Sequence, residues 1–237
     1  MNRILFEPSE IVDGVAVVRD ARAAHILGVL HGEVGQKLKT GVVDGPIGSG
    51  EIVACGAGSV TIRVTHDREA PASWCDLVLA PPRPRVMKRL LPQLASLGVG
   101  RIVLVGAKKV EKDFWGATLL KPENYRPLLV DGLMQAGTSE LPTLETRRNF
   151  RAFVRDELDA LFPTANRVVA HPYADGAGAR EPGGGRLLLA VGPEGGWTDE
   201  EVELLEEHAF ARCSLGPRIL KTETAAIALL AKLNKEQ

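Results

Sequence analysis

The chain has 237 residues, 45% hydrophobic and 25% charged, with a formal net charge of −1 at pH 7. These values are ordinary for a soluble globular protein and exclude a low-complexity chain. The N-terminal apolar run is too short for a signal peptide and no segment has the length of a transmembrane helix, so the expectation is a cytoplasmic protein with no membrane partner.

Residues 11 to 66 have the pattern of short strands. Apolar or alternating runs are separated by Gly, Asp, Pro and Ser turn residues, as is typical of strands joined by turns. One helix is predicted at residues 21–30. We therefore expect a small, mostly β domain over residues 1–70, followed by a polar linker that contains Pro71.

From Trp74 onward, predicted strands alternate with predicted helices. Alternation of this kind indicates a second domain over residues 74–237 with a mostly parallel sheet and helices on both faces. Pro92 lies inside a candidate helix at residues 85–98 and predicts either a kink or a later start for that helix. The predicted strands lie at residues 76–80, 101–107, 142–146, 167–171, 186–191 and 212–216.

Three cysteines, Cys55, Cys75 and Cys213, are widely separated in the chain. They form no CxxC pair and have no nearby histidine, so the sequence predicts neither a disulfide framework nor a zinc site. We expect all three to be buried small apolar residues, and we expect no metal.

Basic residues are concentrated between Arg83 and Arg126, where ten bases accompany three acids, whereas residues 199–207 contain six acids and no base. A solvated helix face would explain the basic run as well as an RNA-binding surface would. If the run and the small domain bind RNA, affinity should fall steeply with salt because counterions are released.

A glycine-rich loop, Gly192-Pro193-Glu194-Gly195-Gly196, follows the apolar run at residues 187–191. Ligands of open α/β sheets bind beyond the carboxyl ends of strands, but this loop lacks the spacing of a P-loop or of a dinucleotide fingerprint. Thr198 and Glu201 fit a capping box, so the protein's own carboxylates would satisfy the start of the next helix. A neutral or cationic ligand therefore fits better than a phosphate. The alternative is that the glycines form only a wide turn.

A second segment, at residues 211–225, repeats the order of strand, glycine-containing loop and helix. Pro217 prevents continuation of the strand, and Thr222 is predicted to cap an alanine-rich helix. Both loops should then lie on the same edge of the sheet. Arg218 in this loop either faces a ligand or is a surface charge.

The strings VGPEGGWTDEEV and SLGPRILKTETAAIALLA together resemble the C-terminal signature of the ribosomal RNA small subunit methyltransferase E (RsmE) family, within the SPOUT superfamily. The strings AHP, NRILF and HILGVL extend the resemblance to both ends of the chain. It implies an α/β fold: a SPOUT-type trefoil-knotted domain with a parallel sheet, and a small N-terminal PUA-like β domain that binds RNA. It also implies a cytoplasmic homodimer that uses S-adenosylmethionine to methylate N3 of a uridine in 16S rRNA of the small ribosomal subunit.

The resemblance assigns roles to individual positions. Glu194 becomes a candidate catalytic carboxylate that orients or accepts the imide proton, and Arg218 a candidate to face substrate or the phosphate backbone. His25 is expected to pack or cap within the small domain. The implied cofactor-binding residues are His171, Pro172, Gly192, Glu194, Gly195, Gly196, Leu215, Gly216, Ile219 and Leu220.

The chain departs from the family pattern at four positions, His31, Ser96, Met134 and Thr138, and has AKKVEK at residues 107–112 where the family has a TERS-like segment. These changes lie in the region expected to support RNA contact and the dimer. Two alternatives therefore stay open: a SPOUT methyltransferase acting on a different rRNA or tRNA nucleotide, and a non-catalytic rRNA-binding assembly factor.

Overall fold

A computed structural model describes residues 2–172 and 185–234 of the protein. The chain divides into two compact units. The first contains residues 1–72 and 129–141, and the second contains residues 73–128 and 142–237.

The first unit is built on a mixed sheet. Ala23 and Ile26 of its helix α1 are buried and pack in one core with Ile52 and Ile62. The helix begins after Asp20, whose carboxylate accepts the Arg22 backbone N–H, as expected of an N-cap. Within the described residues the sheet has six strands in the order β1-β4-β5-β6-β3-β2, with β1 parallel to β4 and the other pairs antiparallel. The elements are β1 (Ile4–Phe6), β2 (Ile11–Val12), β3 (Val15–Val18), α1 (Ala21–Gly28), β4 (Lys37–Val42), β5 (Ile47–Gly56) and β6 (Ser59–Arg68).

Residues 129–141 lie with the first unit, although the sequence prediction placed them in the second domain. Hydrogen bonds to the start of the chain explain the difference. The backbone N–H groups of Asn2 and Arg3 donate to the Met134 carbonyl at 2.9 and 3.0 Å. The Leu141 N–H donates to the Asp44 carboxylate at 2.7 Å. Contacts over such sequence distances leave no local pattern in the chain.

The second unit is a parallel sheet with helices. In the part of the chain that is described, its six strands follow the order β12-β10-β11-β7-β8-β9, and every adjacent pair is parallel. The predicted α/β class and its mostly parallel sheet are therefore confirmed. The strands are β7 (Cys75–Leu79), β8 (Val99–Val105), β9 (Thr143–Arg147), β10 (Asn166–Ala170), β11 (Leu187–Val191) and β12 (Ala211–Cys213).

The helices of the second unit pack apolar faces onto this sheet, and Phe153, Val202 and Leu205 join Leu188 of β11 in one buried core. α2 begins at Pro84 and passes through Pro92, so the predicted later start is wrong. The helices are α2 (Pro84–Ser96), α3 (Pro122–Ala136, whose last residues belong to the first unit), α4 (Phe150–Ala152), a π-helical turn (Phe153–Glu157), α5 (Leu158–Leu161), α6 (Asp199–Glu207) and α7 (Thr222–Leu233).

The prediction for the cysteines holds at two of three positions. Cys75 and Cys213 are buried, whereas Cys55 is exposed. Cys55 lies near the tip of the β5–β6 hairpin, where a register shift after Ile52 breaks the alternation of buried and exposed residues. None of the described residues forms a group of three or more His, Cys, Asp or Glu side chains able to hold a metal ion. No helix in the described ranges is long and apolar enough to cross a membrane.

Candidate ligand-binding site

The ends of three adjacent strands, β11, β10 and β12, create the site. β11 and β12 both run parallel to β10, which lies between them, so the loops that leave their carboxyl ends meet at one edge. The buried Thr222 hydroxyl, at the start of α7, donates to the Gly192 carbonyl at 3.0 Å. Thr222 is the first residue of the helix and Lys221 occupies the N-cap position, so the predicted N-cap role is wrong. Its side chain joins the two loops instead.

The glycines of the first loop permit close approach. A Cβ at Gly192 would lie 3.0 Å from the Trp197 backbone nitrogen, and one at Gly195 would lie 2.9 Å from Lys109 Cδ. Gly196 has φ of +70°, a conformation that L side chains rarely adopt. The loop is therefore packed tightly on its protein side.

A capping box closes the start of α6. The Thr198 hydroxyl accepts the Glu201 backbone N–H at 3.3 Å, and the Glu201 carboxylate accepts the Thr198 N–H at 2.9 Å. The same carboxylate accepts the Lys108 N–H at 2.7 Å and is only 5% exposed. The predicted capping box is confirmed, and a buried carboxylate occupies the place where this helix would otherwise attract an anion.

Lys109 holds the outer part of the glycine loop. Its Nζ donates to the Gly195 carbonyl at 2.7 Å, and it lies 3.5 Å from the Trp197 carbonyl oxygen. The Pro193 carbonyl accepts the Gly196 N–H at 2.8 Å. Together with the bond from Thr222 to Gly192, these hydrogen bonds use the carbonyl groups of Gly192, Pro193 and Gly195 and hold the backbone of the loop.

The loop's amides are left available to a ligand. Among the described residues, the backbone N–H groups of Glu194 and Gly195 have no acceptor. The Trp197 indole N–H is buried and likewise has no acceptor in the described parts of the chain. The loop thus presents hydrogen-bond donors beside its carboxylate.

Glu194 is exposed at the rim of the site. Its Oε1 accepts the Arg83 backbone N–H at 3.2 Å. The Arg83 side chain forms an ion pair with Glu111 at 2.9 Å. The Glu194 carboxylate is therefore held by the residue that precedes α2.

The second loop is more open. The Ser214 hydroxyl accepts the Gly216 N–H at 3.1 Å and is 3.2 Å from the Pro172 carbonyl. Gly216 has φ of +102°. Ile219 is 73% exposed, and Arg218 is also exposed, with no ion-pair partner in the ranges that are described.

These loops enclose one cavity of about 420 Å³. Every residue that the sequence assigned to catalysis or cofactor binding lines it, so the structure brings together all eleven positions. They are His171, Pro172, Gly192, Glu194, Gly195, Gly196, Leu215, Gly216, Arg218, Ile219 and Leu220.

Burial and a nearby cation control the ionisation of His171. Loss of solvent, followed by the charge of Arg212, lowers the pKa of His171 below its usual value, against the opposing effect of Asp199 and Glu206. The imidazole is therefore neutral at pH 7. Burial also raises the pKa of the Cys213 thiol, so this cavity-lining residue is an uncharged thiol rather than a reactive thiolate.

Comparison with known proteins identifies the family. Residues 68–234 match the RNA methyltransferase domain family. The chain is 33% identical to the ribosomal RNA small subunit methyltransferase E of Treponema pallidum over 98% of this chain and 90% of the relative. The chain belongs to the RsmE family. It is accordingly an RNA methyltransferase of that family.

Solved structures share the fold. An RsmE protein from Neisseria gonorrhoeae, bound to S-adenosylmethionine, superposes with a TM-score of 0.75 at 21% identity, over 98% of this chain and 96% of that one. A putative methyltransferase from Legionella pneumophila, in complex with the same cofactor, gives a TM-score of 0.74 at 27% identity, over 98% and 96% of the two chains.

Several residues that line the cavity of this RsmE-family chain escaped the sequence analysis. Lys109, Asp199 and Trp197 are three of them, and Thr222 was given a different role. The alternation of strands and helices placed the carboxyl end of β8 on the same sheet edge, which could have pointed to Lys109. No sequence signal indicated that its ammonium would reach Gly195, 86 residues away.

Proposed function

We propose that this chain is an S-adenosylmethionine-dependent methyltransferase that methylates N3 of a uridine in 16S rRNA of the small ribosomal subunit. One observation carries the proposal: the two loops that resemble the family signature, together with His171 and Pro172, line a single cavity. A family match and a full-length relative of the RsmE type support the reaction class.

The cavity fits the proposed cofactor in size and charge. Its volume is in the range of sites for small molecules. Its lining carries two carboxylates, Glu194 and Asp199, and two cations, of which Lys109 is bonded to the Gly195 carbonyl and Arg218 is exposed on the second loop. Because Glu201 already caps the start of α6, this wall suits a cationic sulfonium better than a phosphate. The free N–H groups of Glu194 and Gly195 are suited to the acceptor edge of a nucleobase.

The proposed residues divide into those that hold the cofactor and those that serve the substrate. The glycine loop with Glu194, the strand end at His171 and Pro172, and the second loop would hold S-adenosylmethionine. The methionine sulfonium of that cofactor supplies an electrophilic methyl group. The second loop contributes Leu215, Gly216, Ile219 and Leu220.

Glu194 is the proposed catalytic carboxylate. Methylation of N3 replaces an N–H bond with an N–CH₃ bond, so the imide proton must leave as the carbon–sulfur bond breaks. The carboxylate at the rim, which accepts the Arg83 N–H, would accept or orient that proton. Arg218, exposed at the opposite loop, is proposed to contact the uridine or its phosphate.

Replacement of the carboxylate tests this role. Glu194→Gln should lower kcat by about 100-fold or more, because general-base contributions are typically of that size. The dissociation constant for S-adenosylmethionine, measured by calorimetry, should rise by a much smaller factor, because the amide keeps the shape of the side chain and Asp199 keeps negative charge at the cavity wall. Full turnover by Glu194→Gln on the natural substrate would refute the assignment.

The target nucleotide is tested in cells. Mass spectrometry of nucleosides from small-subunit rRNA should show loss of 3-methyluridine when the gene is deleted and its return on complementation. Loss of a different methylated nucleoside would identify another target. The same rRNA from both strains, combined with absence of S-adenosylmethionine binding in calorimetry, would favour a non-catalytic assembly factor.

The remaining parts of the proposal concern organisation. We propose that the predicted domain of residues 1–70 is a PUA-like RNA-binding domain. We propose that the predicted domain of residues 74–237, apart from the segment 129–141 that lies with the first unit, is a trefoil-knotted SPOUT domain. We also propose a homodimer and a cytoplasmic location. The apolar side chain of Ile219, 73% exposed beside the cavity, is consistent with a covering partner. Sedimentation of the purified protein measures the oligomeric state: a dimer is expected, and a monomer at micromolar concentration would contradict it.

A further inference from the structure

Helix α2 carries an unusual concentration of positive charge on its outer face. Arg85, Lys88 and Arg89 occupy positions i, i+3 and i+4 and are all exposed, so they lie on one side of the helix. The opposite side carries the buried residues Met87, Leu90, Leu91, Leu94 and Ala95. The helix contains no acidic residue.

These three cations have no ion-pair or hydrogen-bonding partner among the described residues. Most arginines that are partly buried, by contrast, form ion pairs with carboxylates. Examples are Arg22, Arg147, Arg167 and Arg212. Because the chain has 30 acidic residues against 29 Lys and Arg, the unpaired charge on α2 does not reflect a shortage of acids.

The structure shows which cations of the basic run between Arg83 and Arg126 already have partners within the protein. Arg83 is paired with Glu111, and Lys109 is bonded to the Gly195 carbonyl. Arg101 lies 3.8 Å from Glu145. These three cations are already used within the protein. Lys108, Lys112 and Lys121 are exposed as well, but they lie on three separate segments, whereas the cations of α2 share one helix face.

The same helix starts at the rim of the candidate site. Arg83 precedes its first residue, and the Arg83 backbone N–H donates to Glu194, which lines the cavity. Arg85 and Arg89 are one helical turn apart, about 6 Å along the axis. A chain of phosphates that crosses the rim could therefore meet successive cations as it leaves the cavity.

We infer that the face of α2 formed by Arg85, Lys88 and Arg89 binds the phosphate backbone of the RNA substrate next to the nucleotide that enters the cavity. The inference rests on the proposed function, because it takes RNA as the substrate. Uncompensated cations release counterions from a polyanion on binding, and backbone contacts of this kind fix register without reading sequence.

The test is a triple variant, Arg85→Gln/Lys88→Gln/Arg89→Gln, assayed with purified small ribosomal subunits that lack the methylation. The KM for subunits should rise by about tenfold or more at moderate salt, and the slope of log affinity against log salt should become shallower by about 2. The dissociation constant for S-adenosylmethionine should not change, since none of the three residues lines the cavity.

Two further variants test whether the loss of positive charge on α2 itself causes these changes in KM and salt slope. Arg85→Lys/Arg89→Lys keeps the charge and should retain the salt slope. Arg148→Gln/Arg151→Gln/Arg155→Gln removes three positive charges from exposed positions elsewhere in the second unit, of which Arg151 is paired with Glu200. This variant should leave the KM for subunits close to that of the wild type. Thermal unfolding checks that all variants are folded. If the triple variant does not fold, the single variant Lys88→Gln replaces it, and the salt slope should then become shallower by about 0.7.

Each remaining outcome is decisive. An unchanged KM and salt slope in the α2 variant would overturn the inference, as would an equal effect in the control variant. A change of oligomeric state in the α2 variant would show that this face binds a second copy of the chain instead. If the wild type itself transfers no methyl group to the subunits, the proposed function fails. If the wild type is active and the α2 variant has the same KM and salt slope, only the inference about α2 fails.

Discussion

Lys109 shows how one side chain outside the signature loops can organise the site. Its ammonium donates to the Gly195 carbonyl at 2.7 Å, and its stem passes so close to Gly195 that a Cβ there would lie 2.9 Å from Lys109 Cδ. The contact explains the lack of a side chain at position 195. It also ties the segment after β8 to the wall of the cavity.

Removal of this contact should weaken cofactor binding. In Lys109→Met the Gly195 carbonyl loses its charged donor, and bonds to charged groups are worth about 1.5–3 kcal/mol. We expect the calorimetric dissociation constant for S-adenosylmethionine to rise about tenfold, with kcat at saturating cofactor little changed.

Lys109→Arg keeps a charged donor and should recover most of the affinity. Lys112→Met removes an exposed lysine a few residues away and serves as the matched control. Equal cofactor affinity in Lys109→Met and the wild type would show that the ammonium does not position the loop.

The sequence predicted the cavity-lining residues that belong to the two signature loops. The signature loops carried Glu194, Arg218 and the glycines, and all of them line the cavity; their roles stay predictions. Lys109 and Trp197 were not predicted, because their position in the site depends on packing between segments far apart in the chain. The exposure of Cys55 was missed because a register shift in a hairpin has no clear pattern in the sequence.

At the scale of elements, the start of α6 depends on one buried carboxylate. Glu201 accepts the N–H groups of both Thr198 and Lys108, and therefore fixes the helix to the end of β8. Glu201→Gln would place an amide N–H₂ against one of these donors. We expect the free energy of unfolding to fall by about 1–3 kcal/mol, measured by urea denaturation.

Glu200→Gln is the control for this change, because Glu200 is an exposed residue in the same first turn whose ion pair with Arg151 lies at the surface. Exposed pairs contribute little to stability, roughly 0–1 kcal/mol. Equal destabilisation by the two substitutions would contradict a special role for the buried carboxylate.

Elements were the most predictable level of the structure, because periodicity and capping are local. The capping box at Thr198 and Glu201 was read directly from spacing and is present. Helix α6 begins after Thr198, as predicted. The start of α7 was displaced by one residue, because Thr222 uses its hydroxyl to bind Gly192 rather than to cap its own helix. A hydroxyl residue at a helix start has both options, and only the fold decides between them.

At the scale of the whole molecule, a cluster of charged side chains stabilises the first unit. The first unit contains a charged cluster in which Arg22, 15% exposed, binds both Glu10 and Asp20. Hydrogen bonds from Arg22 hold the pKa of Glu10 and that of Asp20 below their usual values. Carboxylates with depressed pKa values in the folded state stabilise the protein above their unfolded pKa and lose that contribution as pH falls through the folded pKa.

Arg22→Met should therefore destabilise the protein in a pH-dependent way. At pH 7 the free energy of unfolding should fall by about 1–2 kcal/mol, after allowing for the solvent screening of the exposed Asp20 carboxylate. Below about pH 4, where the unfolded carboxylates are protonated, the difference from the wild type should shrink. Denaturation across this pH range measures the effect, and a difference that is independent of pH would contradict the role of the two carboxylates.

The division of the chain was the least predictable feature. Composition located the change near residue 70, but not the return of residues 129–141 to the first unit. That return depends on the bonds of Asn2 and Arg3 to Met134, which join residues more than 130 positions apart. The α/β class and the parallel sheet were predicted because alternation of strands and helices extends over the whole second half of the chain.

Methyl transfer with purified components tests whether the protein methylates N3 of a uridine in 16S rRNA. The protein is incubated with S-adenosylmethionine labelled in its methyl group and with small ribosomal subunits from cells that lack the gene, and the labelled nucleoside is identified by mass spectrometry. We expect close to one methyl group per subunit, recovered as 3-methyluridine, and strongly impaired transfer by Glu194→Gln. Absence of label in the rRNA, or label in a nucleoside other than 3-methyluridine, would contradict the proposed function.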